Sequence, residues 1–577
     1  MSAALYSSLD LTIGDLERTK LPSFQRKLVW TRKKKESFIE TLRQGLPFGS
    51  VLVYPESSKN DSEYLLLDGQ QRISTILEYK KCPLRFWKPL NREDYQQALN
   101  NINAMLPEER QLTEKDFDVF YPWNDSNERY TDWLDLVDPA EVRKEVRKRL
   151  RELQDSIKAF VDLENLKIPA IKFTGSSDLI ATVFSNLNQG GTPLSKYEIY
   201  NAAWINTSIR LLPPGKSHLQ DAILDNVKRH YSDMINEAEL ELDGFSEDEL
   251  TQNRDITLWE LGMALGMYVQ EELKALVPQK DKNKVPEIGF GLLGIAVNID
   301  NRSLSKLNNY IGEIDGQLQL ILEKTERICI NLQDIFYRLL KRLRGKKNDE
   351  CMLGLSTTFK TLSYFAALWN LDPSSDDYRN SLENIKAYYL LDALNGSWSS
   401  HGDQRLLDYY PESKKRTYLE SVDRDRLMDA FDIWFSDETP GINFKAESSA
   451  ITTIHANLTY LSNTISNGDD YELEHIVPRK LIDRYDDGPS RLFFGNTIGN
   501  CMYLPRIDNN KKKDKILYDF KDPSEYSALI EESLYPSEQD LRKAIDALEK
   551  KDFETANQVV LDRSYKIAAA IADRLLS

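Results

Sequence analysis

The first 205 residues alternate short apolar runs with helical patterns. Three mostly apolar runs, at residues 51–54, 64–67 and 168–173, predict buried strands, each followed by turn residues and a helix. Between the second and third runs, apolar residues recur every three or four positions from Val142 to Phe160, which predicts one stripe of a long helix. This part of the chain is therefore predicted to be an α/β module.

The pattern changes twice further along the chain. From residue 206 to residue 445 strand signals fade and helical spacing dominates, which predicts a helical bundle. After Thr464, a short strand, a Gly-Asn-rich loop and a Lys-rich segment precede more helices. We therefore expect an α+β multidomain protein with domains at residues 1–205, 206–445 and 446–577.

Composition narrows the class of protein. With 41% hydrophobic and 29% charged residues, the chain is typical of a soluble globular protein. Its four cysteines are far apart and form no Cys-x-x-Cys pair, so neither a disulfide framework nor a zinc ribbon is indicated, and we expect a cytoplasmic location. The sequence offers no secretory signal and no apolar run long enough for a bilayer, so no membrane association is expected.

The charge of the chain limits how it could bind nucleic acid. A net charge of -17 would repel DNA if it were spread evenly, so binding requires local basic surfaces. Residues 18–35 supply one such surface, because they include eight Lys or Arg residues and no acid. The negative net charge therefore does not exclude DNA binding, because the charge distribution leaves a local basic surface.

A first candidate site follows the second predicted strand. Asp68 and Gly69 form a turn between that strand and a helix that begins near Arg72. Such a junction presents free backbone N–H groups and the positive end of a helix dipole, which suit an anion. Gly69 lets the backbone approach a ligand closely, Arg72 can fork onto a phosphate, and Asp68 could position a metal or a water.

Two further segments extend this candidate site. Phe24-Gln-Arg26 interleaves cationic and aromatic side chains, and Asn188-Gln-Gly190-Gly-Thr-Pro-Leu leads a glycine pair into a helix. The order of these segments around Leu67-Asp-Gly-Gln-Gln-Arg72 resembles the ParB-like N-terminal domain of GmrSD-type (type IV, modification-dependent) restriction proteins, which are related to the SspE proteins. The resemblance covers about residues 8–205.

The resemblance implies functions for this domain. In that family the domain binds and hydrolyses nucleoside triphosphates, GTP or another, and helps to sense modified DNA. By match of motif, nucleotide contact is expected from Arg26, Asp68, Gln70, Gln71, Arg72, Asn188 and Gly190. The chain departs from the family at Gln189, where threonine is frequent, and this puts a hydroxyl contact there in doubt.

A second candidate site lies near the C-terminus. It consists of Glu474-His475-Ile-Val-Pro, then Gly499-Asn500, then Asn509. Cleaving a phosphodiester needs a base for water, a cation for the leaving oxygen and groups that orient both. His475 can act as the base near neutral pH, Glu474 and Asn509 are oxygen ligands for Mg²⁺ or Mn²⁺, and Asn500 could orient the imidazole.

The order of these residues resembles the HNH, or ββα-metal, nucleases over about residues 450–525. The resemblance implies that His475 is the general base, that Glu474 and Asn509 bind the metal, and that Asn500 orients the base. Aspartate is frequent in this superfamily where the chain has the longer Glu474. Because neighbouring side chains on a regular strand point to opposite faces, we expect the Glu-His pair to lie at a strand end.

The two resemblances occur in the order of a GmrSD-type restriction endonuclease. We therefore expect a nucleotide-regulated, metal-dependent endonuclease that cuts modified phage DNA, with DNA and nucleotide as partners and a homodimer left open. One alternative is a nucleotide-switched DNA sensor with a weak or silent nuclease. Another is an N-terminal module that binds DNA without hydrolysing nucleotide.

Overall fold

A computed structural model gives the fold of the protein. It describes residues 5–19, 27–57, 60–175, 197, 200, 204, 207–238, 241–243, 247–279, 281, 284–341, 351, 354–413, 415–461, 471–488, 490–520 and 522–577. The strands are β1 (Tyr6–Leu11), β2 (Lys27–Val29), β3 (Val51–Ser57), β4 (Asn60–Asp68), β5 (Ile168–Phe173), β6 (Ser208–Arg210), β7 (Glu241–Asp243), β8 (Asp255–Thr257), β9 (Tyr471–His475) and β10 (Cys501–Pro505).

The helices are more numerous than the strands. They are α1 (Ile13–Arg18), α2 (Arg32–Arg43), α3 (Gln70–Lys81), α4 (Pro83–Leu90), α5 (Arg92–Asn103), α6 (Glu114–Val119), α7 (Glu128–Asp135), α8 (Ala140–Lys158), α9 (His218–Ala238), α10 (Glu247–Asn253), α11 (Leu258–Glu272), α12 (Lys284–Ala296), α13 (Ile311–Leu340), α14 (Thr358–Leu368), α15 (Asp376–Leu394), α16 (Gly402–Leu407), α17 (Arg424–Ser436), α18 (Ala446–Leu458), α19 (Arg479–Tyr485), α20 (Arg506–Lys512), α21 (Ser527–Glu532), α22 (Glu538–Glu549) and α23 (Phe553–Leu575). Short 3₁₀ segments lie at Glu108–Arg110, Asn301–Tyr310, Ile498–Asn500, Leu517–Asp519 and Pro523–Tyr526.

The protein is an α+β chain in which helices predominate and the sheets are small, as predicted. It divides into two compact units, residues 1–208 with 228–253, and residues 209–227 with 254–577. The domain boundaries predicted after residues 205 and 445 stay predictions. None of the helices in the described ranges is both long enough and apolar enough to cross a membrane.

The first unit is built on a four-stranded sheet in the order β1-β5-β3-β4. The β3–β5 pair is parallel, and the two outer pairs are antiparallel. Val51 and Val53 of β3 are fully buried against Ile73 and Ile76 of α3. The three strands predicted for this module are therefore confirmed, and so is the helix after Gly69. The helix expected after residues 51–54 is wrong, because the next element after β3 is the antiparallel strand β4.

A helical layer accompanies this sheet. The predicted apolar stripe of α8 is confirmed, because Val146, Leu150 and Ile157 are fully buried in a cluster of helix side chains. The phenol of Tyr79 on α3 joins the two layers, donating to the Ile157 carbonyl at 3.2 Å and accepting from the Val161 N–H at 3.2 Å. The α/β module is thus held by both apolar packing and a buried hydrogen-bonding hydroxyl.

The second unit is mainly helical and ends in a small hairpin region. Its long helix α13 buries Leu318, Ile321 and Ile328, as the helical spacing predicts. Helix α18 connects this helical part to the hairpin of β9 and β10, because Asn457 donates to the Leu339 carbonyl at 2.9 Å and Thr453 bonds the Tyr503 hydroxyl at 3.0 Å. The β9–β10 hairpin therefore packs against the helical part of this unit.

Candidate functional site

The C-terminal candidate site is an antiparallel strand pair followed by a helix. In the pair of β9 and β10, His475 lies opposite Cys501 and Glu474 lies opposite Met502. Helix α20 follows β10 directly and covers the hairpin. His475 is the last residue of β9, so the predicted strand-end position is confirmed. The Glu474 side chain contacts α20, whereas the imidazole lines a cleft with residues of the β9–β10 connection.

The imidazole of His475 is held by an asparagine. His475 Nε2 lies 2.9 Å from Asn496 Oδ1, and Asn496 Nδ2 donates to the carbonyls of Gly441 and Ile442 at 2.9 and 3.0 Å. Because those two carbonyls fix the amide, its oxygen faces the ring and can only accept. In the neutral ring the proton is therefore on Nε2, and Nδ1 is the basic nitrogen.

The surroundings keep this ring neutral. Burial lowers the pKa of His475, and the charges of Arg479 and Lys512 act in the same direction, while the hydrogen bond that the ring donates to Asn496 and the charge of Glu474 oppose them. A neutral imidazole at pH 7 with one oriented N–H can accept a proton at its other nitrogen. The ring thus has the protonation state that a general base requires.

Asn500 has a different contact from the one expected. Its Oδ1 accepts from the Val477 N–H at 2.8 Å, and its Nδ2 donates to the Gly495 carbonyl at 2.9 Å. Asn500 lies just before β10, level with the residues after His475, so its buried amide meets backbone groups and not the ring. The expected contact of Asn500 with the imidazole is therefore corrected: Asn500 fixes the backbone around the site, and Asn496 contacts the ring.

The two expected metal ligands lie on two different elements, Glu474 on β9 and Asn509 on α20. Glu474 Oε1 accepts from Lys512 Nζ at 2.6 Å, and the same ammonium donates to the His475 carbonyl at 2.8 Å. Asn509 Nδ2 donates to Glu472 Oε2 at 2.8 Å. Glu472 was not singled out from the sequence, although its position two residues before Glu474 places it on the same face.

The side chains at this position have the types of ligand atom that a hard divalent cation prefers. Glu472, Glu474 and Asn509 carry carboxylate and amide oxygens, the ligand types that Mg²⁺ and Mn²⁺ prefer. The cation present beside Glu474 is the ammonium of Lys512, whose side chain is 1% exposed. In the described part of the chain, no group of three His, Cys, Asp or Glu side chains could hold a metal ion.

A buried arginine on α23 supports the backbone of the site. Arg563 is 2% exposed, and burial lowers its pKa to about 10. Its guanidinium donates to the carbonyls of Ile498, Gly499, Cys501, Ser533 and Leu534 at 2.8 to 3.1 Å. Three of these five carbonyls belong to the segment that carries Asn500 and begins β10. The Arg563 guanidinium therefore supplies the hydrogen-bond donors for these backbone carbonyls.

The N-terminal candidate site lies where β4 meets α3. Gly69 has a φ of +95°, and a Cβ there would lie 2.5 Å from Val51 Cγ1, so both backbone and space require glycine. Arg72 Nη2 donates to the Ser50 carbonyl at 3.0 Å and lies 3.5 Å from Asp68 Oδ2. The structure thus brings Asp68 and Arg72 together at the beginning of a helix.

The other residues expected at this site have different placements. Gln71 Oε1 accepts from the Trp30 N–H at 2.8 Å, which connects the start of α2 to α3. Gln70 is the first residue of α3 and is half-buried. Arg26, Asn188 and Gly190 lie outside the described residues.

Comparison with known proteins places the N-terminal part of the chain. Residues 10–205 match the family model described as the GmrSD restriction endonuclease, N-terminal domain. No curated protein matches the chain. The matched span contains the junction of Asp68, Gly69 and Arg72, and the family description implies a nuclease that acts on DNA. Residues 10–205 are therefore assigned to the N-terminal domain of the GmrSD restriction endonuclease family.

Proposed function

We propose that this protein is a nucleotide-regulated, metal-dependent DNA endonuclease that restricts modified foreign DNA in the cytoplasm. The family match supports the restriction role, and the C-terminal hairpin supports the chemistry. The observation that carries the proposal is the neutral imidazole of His475, oriented by Asn496 at the end of a strand. The antiparallel pair of β9 and β10, with α19 in its connection and α20 directly after it, supports an HNH, or ββα-metal, assignment for this region.

In the proposed reaction, His475 accepts a proton at Nδ1 from the water that attacks the phosphorus. Asn496 keeps the proton on Nε2, so the ring presents its basic nitrogen in every cycle. Asn500 and Arg563 keep the surrounding backbone in place, so the ring does not have to be ordered when DNA arrives. The chain thereby supplies the base and its orientation.

A divalent cation, when bound, would supply positive charge at the departing 3′ oxygen. Glu474 and Asn509 would hold it, with Glu472 beside them. The Lys512 ammonium already neutralises Glu474, so metal and Lys512 would compete for the same carboxylate. We therefore expect cleavage to depend on the concentration of Mg²⁺ or Mn²⁺.

The N-terminal domain is proposed to bind and hydrolyse a nucleoside triphosphate, GTP or another. The N-terminus of α3 and Arg72 suit phosphate oxygens, and Gly69 allows close approach. Asp68 would position a water or metal near the phosphates. The ParB-like assignment, the contacts of Arg26, Gln70, Gln71, Asn188 and Gly190, and homodimer formation belong to this proposal.

Cleavage of matched plasmids tests the nuclease. Plain, glucosylated hydroxymethylcytosine and phosphorothioate DNA are incubated with Mg²⁺ or Mn²⁺, with and without nucleotide. The wild type is expected to cut modified DNA, and His475→Ala is expected to abolish cutting. His218→Ala is the matched control, because the His218 side chain is 77% exposed on another part of the unit. Equal cutting by wild type and His475→Ala would contradict the proposed base.

Phosphate release tests the N-terminal proposal separately. Several nucleoside triphosphates are compared, with Asp68→Ala and Arg72→Ala as the variants. Release that both variants lose supports hydrolysis at this junction. DNA binding without any nucleotide turnover supports the module that only binds DNA.

A second candidate function is favoured by the Glu474–Lys512 ion pair. A carboxylate already neutralised by a buried lysine is less available to a metal, which suits a nucleotide-switched DNA sensor with a weak or silent nuclease. The plasmid assay separates the two functions. The sensor requires DNA binding that nucleotide changes, with no cleavage at any metal concentration.

A further inference from the structure

The cleft beside His475 contains charged side chains that have no role in the proposed reaction. His475 and Asn496 line it, together with Arg479, Asp483 and Arg491. All three charged residues lie in the connection between β9 and β10, in or just after helix α19. The connection therefore brings two arginines to the face of the hairpin from which the imidazole is reached.

Arg491 is the more enclosed of the two arginines. Its side chain is 17% exposed, whereas that of Arg479 is 68% exposed. Arg491 Nη2 donates to Asp483 Oδ1 at 2.9 Å, which fixes the plane of the guanidinium. Its Nη1 is shielded from solvent and has no hydrogen-bond partner within the residues that the structure describes. A buried guanidinium nitrogen without an acceptor is unfavourable, so this atom is suited to an acceptor that arrives with a ligand.

The charges around the cleft favour an anion as that ligand. Asp483 is shared by both arginines, with Arg479 Nε at 3.7 Å from its other oxygen, so the three residues together carry one net positive charge. A phosphodiester carries one negative charge, and a guanidinium matches its oxygens with parallel N–H groups.

We propose that Arg491 binds a non-bridging oxygen of the DNA phosphate that His475 acts on, and that Asp483 positions the guanidinium for this contact. This inference rests on the proposed nuclease function. Arg491 Nη1 donates to the phosphate while Nη2 stays on Asp483. The negative charge that grows on the phosphate during attack is then partly neutralised by the chain itself.

The test compares Arg491→Met with Arg484→Met. Methionine keeps much of the side-chain volume and removes the charge. Arg484 is the matched control, because it lies on α19, is exposed, and contacts the Tyr485 ring and not the cleft. Two measurements are made on the full chain: the rate of plasmid cleavage at saturating DNA, and binding to a short labelled duplex in EDTA over a range of salt concentrations.

Arg491→Met is expected to slow cleavage about 100-fold, as does the loss of one preorganised donor to a developing charge. Its slope of log Kd against log salt concentration should fall by about 0.9, the value for one phosphate contact. Arg484→Met should match the wild type in both. Arg491→Lys should restore the slope and only part of the rate, since an ammonium cannot hold Asp483 and phosphate in one plane.

The outcomes separate this inference from the proposed function. If His475→Ala is inactive while Arg491→Met cuts and binds like Arg484→Met, the phosphate contact is refuted and the nuclease stands. If the wild type never cuts DNA but the slope of log Kd against log salt concentration is still about 0.9 smaller for Arg491→Met, the nuclease is refuted and the phosphate contact stands. If Arg491→Met does not fold, Asp483→Asn decides: a loss of about 10-fold in cleavage rate supports the contact, and wild-type cleavage refutes it.

Discussion

Arg563 offers the sharpest test of how the hairpin site is held together. Arg563→Met removes five charge-assisted hydrogen bonds to buried carbonyls. At the lower end of their usual strength, their loss amounts to about 7 kcal/mol. The burial that lowers the pKa of Arg563 from 12.5 to about 10 reflects a penalty of about 3 kcal/mol, which the substitution relieves. The net expected destabilisation of the local structure is therefore about 4 kcal/mol.

Native-state hydrogen exchange measures this local loss directly. A chain of two units need not unfold in one step, so exchange of single amides is more informative than a denaturant curve. The amide of Ile476, which donates to the Asn500 carbonyl at 2.8 Å, should exchange about a thousandfold faster in Arg563→Met. Arg574→Met, on the exposed side of the same helix, should change exchange by less than about threefold.

A stabilising role of Arg563 is refuted if the Ile476 amide of Arg563→Met exchanges within about threefold of the wild type. In that case the five carbonyls would have found other donors or water, and Arg563 would be a buried charge with little net effect. A slower exchange than wild type would mean that the desolvation penalty exceeds the hydrogen bonds.

Three further predictions concern other parts of the molecule. Burial lowers the pKa of His455 to about 3, so the unfolded chain binds an extra proton below pH 6.5 and stability falls as pH falls; relative to His455→Gln, the wild type should lose about 2 kcal/mol between pH 7 and pH 5, measured by urea unfolding of the second unit. Lys512→Met should lower the Mn²⁺ concentration that gives half-maximal cleavage, because Glu474 then lacks its ammonium partner; an unchanged or higher value contradicts the competition. Gly69→Ala should abolish the release of phosphate from nucleoside triphosphates. It should also destabilise the first unit by more than Gly45→Ala, because Gly45 has a similar positive φ but open space around it. Equal shifts in melting temperature of the two variants would refute a steric requirement for glycine at position 69.

Local sequence patterns were sufficient to predict several of the helices and strands that carry the two sites. The strands at residues 51–54, 64–67 and 168–173 and the stripes of α8 and α13 follow from apolar spacing, because burial of one face decides both kinds of element. The position of His475 at a strand end follows from the alternation of side chains. These features depend on residues that are close in the sequence, so they can be predicted from one sequence alone.

The partners of His475 could not be read in this way. Two Gly-Asn pairs lie close together, at Asn496 and Asn500, and only the fold decides which amide meets the ring and which meets the backbone. Arg491 and Arg563 lie in segments with no pattern that sets them apart from surface arginines. Their roles depend on burial against distant parts of the chain, which one sequence does not encode locally.

The dependence of the hairpin on α23 has a consequence for synthesis. The segments that carry His475 and Asn500 leave the ribosome before Arg563 does. Until α23 docks, the carbonyls of Ile498, Gly499 and Cys501 lack the hydrogen-bond donor that Arg563 supplies. A nascent or truncated chain would thus contain His475 and Asn496 without the helix that holds the backbone around them. Under the proposed function, incomplete chains would therefore be inactive, and the DNA of the host would not be exposed to a partly synthesised nuclease.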